Sequence, residues 1–128
     1  MITLICGRAR AGKSTYSERF ENVIHLDSAS KLPSTRYQAV LNVVAGTSED
    51  IVIEGVYETA DKRKTLLAAY KGKGAKCIFI DTSLEVIAKR IAEQYSIHNV
   101  LPRVFEPPTY DEGWDEIIRI TAEETSAF

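Results

Sequence analysis

Five short apolar runs punctuate the chain: Ile2 to Cys6, Val23 to Leu26, Ile51 to Ile53, Cys77 to Ile80 and Ile117 to Ile120. They are rich in β-branched residues and apolar almost throughout. A sheet with one wet face would alternate instead, so these runs predict strands covered on both faces. Between them the period changes. Tyr37, Val40, Leu41, Val44 and Ala45 fall at i, i+3, i+4, i+7 and i+8, the spacing of one helix face. Leu84, Ile87, Ala88, Ile91, Ala92 and Tyr95 repeat that spacing, and Thr82 with Glu85 offers a capping box at its start. A third helix is expected from Thr59 to about Lys71, stopped by Gly72 and Gly74. Strand and helix in alternation predict right-handed βαβ units. The expected fold is therefore α/β: a five-stranded parallel sheet with helices on both faces. No repeat or linker interrupts the pattern, and the segment from Pro102 to Pro108 is the one loop-like insert. Residues 1–128 are read as one domain.

Composition narrows this little. With 128 residues, 45% hydrophobic, 27% charged and a formal net charge of −2, the chain suits one core. Its apolar runs fall far short of the ~20 residues that span a bilayer. The opening segment lacks the basic start and long apolar stretch of a secretion signal. Cys6 and Cys77 both lie in strand-like runs, which suits buried free thiols of a cytoplasmic protein better than a disulfide framework. A pI near 5.7 weighs against a general nucleic-acid binder. The placement of charge says more than its sum. Residues 8 to 19 carry an excess of three positive charges from Arg8, Arg10, Lys13 and Arg19 against Glu18. Residues 106 to 128 carry an excess of six negative ones, read as a solvated face.

The basic cluster contains G-R-A-R-A-G-K-S-T, that is Gly7, Arg8, Ala9, Arg10, Ala11, Gly12, Lys13, Ser14 and Thr15. This spacing is that of a phosphate-binding loop. Glycines let the backbone turn so that successive N–H groups converge on phosphate oxygens, and the helix that follows adds the positive end of its dipole. Lys13 would neutralise the β- and γ-phosphates of a nucleotide, Ser14 would hold Mg²⁺, and Thr15 would reach the α-phosphate. The context fits, because an apolar strand precedes the loop and a helix follows. No Asn-Lys-x-Asp sequence occurs, which argues against guanine specificity.

Ligands of open α/β sheets gather at strand carboxyl ends, and three acids fall there. Asp27 follows the second strand, where it would take a proton from an acceptor hydroxyl during phosphoryl transfer, or else cap the turn. Glu54 follows the third, where it would hold Mg²⁺ through water or simply begin a solvated turn. Asp81 follows the fourth and is read as structural.

The loop from Gly7 to Thr15, Asp27, the Glu54-Gly55 pair, the helix D-T-S-L-E-V-I-A-K-R and the stretch F-E-P-P-T-Y-D-E-G-W-D-E-I occur in that order. In this order they resemble the small P-loop kinases related to the polynucleotide 5′-hydroxyl kinases and the zeta toxins. The resemblance spans nearly the whole chain. It implies the three-layer P-loop NTPase fold of nucleoside and nucleotide kinases, ATP as donor, Mg²⁺ as cofactor, Lys13 and Ser14 as ligands and Asp27 as base. By the same resemblance a lid arginine clamps the donor phosphates, with Arg90 and Arg103 as its candidates, and Arg36 is the candidate for holding the acceptor. Each of these arginines can equally be a solvated helix residue. Two features depart from the family. Arg10 stands where many relatives carry glycine, and the interval from Asp27 to Asp50 leaves room for about one helix. That interval disfavours a long nucleic-acid acceptor.

Phe105, Tyr110 and Trp114 are expected to pack the C-terminal loop against the sheet, or else to stack an adenine. Lys62, Arg63, Lys64, Lys71, Lys73 and Lys76 are read as a solvated basic run. His25 and His98 lack partners at zinc-ligand spacing. The expectation is an ATP-dependent kinase moving the γ-phosphoryl group to a hydroxyl of a small molecule, nucleoside, nucleotide or nucleic-acid 5′ end. The alternative is an ATP-binding regulatory module without transfer.

Overall fold

In the computed structural model, which describes residues 1–26, 33–95 and 104–121, β1 (Ile2–Cys6) occupies the centre of the sheet. All five of its residues are buried, as a run that is apolar but for Thr3 leads one to expect. α1 (Lys13–Ser17) follows, then β2 (Ile24–His25), α2 (Pro33–Ala45), β3 (Ile51–Glu54), α3 (Ala60–Ala69), β4 (Ala75–Asp81), α4 (Leu84–Tyr95), a 3₁₀ turn (Tyr110–Glu112) and β5 (Glu116–Thr121). The strand order is β2-β3-β1-β4-β5, and every pairing is parallel. After β1 the chain crosses to β2 at one edge, returns to β3 beside β1, and then passes to the other side for β4 and β5. The carboxyl end of β1, where the Gly7 loop begins, therefore lies at the switch point of the sheet.

Two apolar clusters cover the two faces. One packs Leu4, Cys6, Ile53, Cys77 and Phe79 against Val40 and Val44 of α2, Leu66 of α3, and Phe105 and Trp114 of the C-terminal segment. The other packs Ile5, Ile78, Ile80 and Ile120 against Ile87 of α4, with Tyr16 of α1 and Phe20 alongside. The result is the expected three-layer fold of P-loop NTPases.

Several local expectations need correction. Ser83, and not Thr82, caps α4: its Oγ accepts from the N–H of Val86, while the Thr82 hydroxyl turns away to the carbonyl of Ala11. Leu84 and Ala45 lie at helix ends and are exposed. Tyr110 is also exposed, whereas Phe105 and Trp114 are buried. α3 behaves as expected, beginning after Thr59, whose hydroxyl accepts from the N–H of Lys62. Cys6 and Cys77 are free and buried, with sulfurs 3.5 Å apart. Their mutual contact, then burial, pushes the Cys77 thiol far above its ordinary range.

Candidate active site

The loop after β1 is shaped by its backbone. A Cβ on Gly7 would lie 2.7 Å from the carbonyl oxygen of Ile80, so no side chain fits where the loop leaves the sheet. Gly12, with φ of 109°, makes the left-handed turn into α1. Arg10 also adopts a left-handed φ, 66°, a conformation that favours glycine. Two loop carbonyls are tied to the β4–α4 segment. Ala11 accepts from Thr82 Oγ1 at 2.6 Å, and Arg10 accepts from Arg90 Nη1 at 2.8 Å. These two bonds fix the loop against the β4–α4 segment, and within it the Ala11 N–H donates to the carbonyl of Arg8 at 3.1 Å.

A cleft of about 540 Å³ opens over this loop, lined by Ala9, Arg10, Gly12, Lys13, Ser14, Thr15, Glu54, Val56 and Arg90. Its size falls in the range that small-molecule sites occupy. Lys13 is buried, and its Nζ donates to the carbonyl of Arg8 at 2.7 Å, which folds the ammonium back over the loop. The Ser14 hydroxyl donates to Glu54 Oε1 at 2.9 Å. Glu54 is only 3% exposed, and the same oxygen lies 3.3 Å from Nδ1 of His25, its register partner on β2. Hydroxyl and carboxylate are the hard oxygen donors that Mg²⁺ takes when phosphates complete its shell. The Ser14–Glu54 pair therefore fits the ion that the loop implies. Among the described residues no cluster of three or more His, Cys, Asp or Glu side chains is assembled.

Of the residues singled out in the sequence, Ala9, Arg10, Gly12, Lys13, Ser14, Thr15, Glu54 and Arg90 come together around one cleft. Gly7 and Ala11 shape the loop from below. Arg8 contributes its carbonyl to Lys13 but sends its side chain elsewhere, over the ring of Phe105. Arg36 is half-buried on α2 and does not line the cleft. Asp27 and Arg103 lie outside the described residues, as does His98. Asp81 is paired with Arg119, in keeping with its structural reading.

Beside the cleft stands a polar assembly that the sequence reading placed in solvent. Arg63 is fully buried and grips Glu112 with both arms, Nε to Oε1 at 2.6 Å and Nη2 to Oε2 at 3.0 Å. Its Nη1 donates to the carbonyl of Tyr57 at 2.7 Å. Trp114 Nε1 and the N–H of Thr109 donate to the same carboxylate. Burial alone would raise the Glu112 pKa, but the hydrogen bond from Arg63, reinforced by Trp114 and Thr109, outweighs it and holds the group below the usual carboxylate range. Arg63 is thus no part of a solvated run, and Glu112 no part of a solvated acidic face. Helical spacing carried the signal for Arg63, which stands three residues before Leu66 on the face of α3 that meets the sheet.

Tyr37, Glu58 and Lys62 form a second group. The Tyr37 hydroxyl donates to Glu58 at 3.3 Å, and Lys62 Nζ donates to both partners while lying 4.4 Å from the Tyr37 ring centre. Tyr57, with a left-handed φ of 43°, packs edge-on against Tyr37. Its hydroxyl is buried without a hydrogen-bond partner, and burial pushes its pKa far up. The Glu58–Lys62 pair has a linear i,i+4 spacing, whereas the contacts of Tyr37 have none, because they join α2 to α3 and the loop after β3.

The fold is that of the P-loop NTPases, with a glycine-bearing loop at its switch point. No known protein family matches the sequence, and no curated protein does. Among solved structures the chain is similar to a sugar kinase from a Janibacter species, with a TM-score of 0.66 at 12% identity over 95% of this chain and 85% of that one. It is also similar to a gluconokinase from Sinorhizobium meliloti, with a TM-score of 0.62 at 15% identity over 97% and 86%. These are likenesses of fold. They bear on P-loop kinases in general and not on the polynucleotide kinase and zeta toxin branch in particular.

Proposed function

We propose that the chain is an ATP-dependent phosphotransferase that moves the γ-phosphoryl group to a hydroxyl of a small molecule. The observation that carries this is the Ser14–Glu54 contact at 2.9 Å, formed beside Lys13 in the floor of the loop cleft. It joins residues 40 positions apart into the donor set a nucleotide-bound Mg²⁺ takes. That two structural neighbours are a sugar kinase and a gluconokinase supports a small hydroxyl compound over a nucleic-acid end. In this reading Lys13 and the loop N–H groups carry the β- and γ-phosphate charge, and Ser14 and Glu54 hold Mg²⁺, which supplies further neutralisation when bound. Arg90, already anchored at the loop by its bond to Arg10, reaches the transferring group. Asp27, immediately after β2, accepts the acceptor proton.

ADP release measured across a panel of hydroxyl acceptors tests the proposal. Turnover is expected to rise severalfold with the right acceptor and to fall on the order of a hundredfold in Asp27→Ala. Tight ATP binding with no acceptor stimulating turnover would make the chain a regulatory nucleotide module instead.

A further inference from the structure

One cation beside the cleft is left over from the phosphate chemistry. Arg8 belongs to the loop by sequence, yet its guanidinium carbon lies 5.6 Å from the centre of the Phe105 ring. Phe105 stacks on Phe79 at 5.2 Å, and Phe79 is the register partner of Cys6. The Arg8 head group therefore sits at the carboxyl ends of β1 and β4, on the face covered by α2 and α3. Arg8 is not among the residues that line the phosphate cleft. Its Nε is buried and has no hydrogen-bond partner. None of the ion pairs among the described residues includes it.

The surrounding acids are already engaged. Glu54 holds Ser14, Glu58 holds Lys62 and Tyr37, Glu106 accepts from the N–H of Ala60, and Glu112 is saturated by Arg63 and its neighbours. The comparison with Arg63 is direct. Both guanidinium groups approach the same Phe105 ring, 5.6 and 5.7 Å from its centre, and one has a bidentate carboxylate while the other has none. A guanidinium stays charged at any ordinary pH, and a buried donor left unmet is costly. Among the described residues no carboxylate pairs with Arg8, which leaves its buried Nε open to an anion brought by a ligand.

We propose that Arg8 binds an anionic group of the acceptor, a carboxylate or a phosphate, so that the substrates are hydroxyl compounds that already carry negative charge. This rests on the phosphotransferase reading. It adds a specificity residue located on the phosphate loop whose side chain lies over Phe105 and does not line the donor cleft. The guanidinium fork suits either anion in bidentate contact, with the Phe105 ring fixing its plane.

Hydroxy acids, neutral sugars and sugar phosphates of matched chain length test it, each titrated calorimetrically into the full chain with ADP present and each assayed for ATP-dependent turnover. Acids or phosphates are expected to bind and react in preference to the neutral compounds, and whichever arm responds identifies the anion. Arg8→Gln is expected to weaken that binding about a hundredfold, with Arg8→Lys intermediate and the KM for ATP unchanged. Neutral compounds binding as well as charged ones, an unaltered acceptor affinity in Arg8→Gln, or a loss confined to ATP would overturn the proposal. Arg8-dependent anion binding without turnover would leave it standing and remove the phosphotransferase reading. Turnover indifferent to Arg8 and to acceptor charge would do the reverse.

Discussion

Glu54 is a buried carboxylate whose one oxygen serves both Ser14 and His25. Glu54→Gln keeps the shape and removes the charge, so nucleotide turnover is expected to fall on the order of a hundredfold and to need more Mg²⁺. A magnesium titration of the variant checks this, and an unchanged requirement would remove Glu54 from the metal site. At Glu112 the expected effect is on stability. Glu112→Ala strands the fully buried Arg63 without its counter-ion, a change that costs about 3–5 kcal/mol and is read by urea denaturation. The same pair sets a pH dependence. Glu112 has its folded pKa lowered, as does Glu58, where the hydrogen bond from Lys62 outweighs burial. Their contribution is therefore complete above the unfolded carboxylate value of about 4.3 and is lost as pH falls through the lowered folded value. The urea midpoint should hold steady above about pH 5 and drop below about pH 4, and less steeply in Glu112→Gln. The loop residues were legible in the sequence because their spacing is local and fixed by phosphate geometry. Arg63 was not, because it sits within a run of lysines and its partner lies 49 residues away.

The elements show where pattern succeeds and where it stops. β1 was readable to the residue, since a strand buried on both faces favours a near-continuous run of apolar and β-branched side chains, Thr3 included. β4 and β5 extend a little beyond their apolar cores, to Asp81 and Glu116, because pairing with a neighbour and not hydrophobicity decides where a strand ends. At the start of α4 two adjacent hydroxyls competed for the cap. Thr82 satisfied the capping spacing but was drawn to the loop carbonyl of Ala11, leaving the cap to Ser83. The two therefore have separable effects. Ser83→Ala is expected to cost about 1 kcal/mol of stability with nucleotide affinity unchanged. Thr82→Val releases the loop carbonyl, and the KM for ATP should rise severalfold. Thermal unfolding and nucleotide titration of both variants check this, and equal effects on both readouts would contradict the division.

Across the whole molecule the near-neutral charge is the sum of two unlike regions. The positive excess surrounds the loop that would hold nucleotide phosphates, and part of the negative excess is structural, through Glu112 to Arg63, Glu106 to the N–H of Ala60, and Asp115 to the N–H of Ala75. The parallel order β2-β3-β1-β4-β5 brings Ser14 and Glu54 to one edge of the sheet. Fold class and donor site could be read from the chain because they depend on local motifs and strand polarity. The contacts that join α2, the loop after β3 and the C-terminal segment could not, because their partners lie far apart in the sequence. The most direct measurement follows the phosphoryl group itself. ATP labelled in its γ-phosphate is incubated with the full chain, Mg²⁺ and the acceptor panel, beside Lys13→Ala and Asp27→Ala. Label should appear covalently on an acceptor hydroxyl, with transfer reduced on the order of a hundredfold in each variant. Label found only as inorganic phosphate, or transfer undiminished in Lys13→Ala, would contradict a phosphotransferase built on this loop.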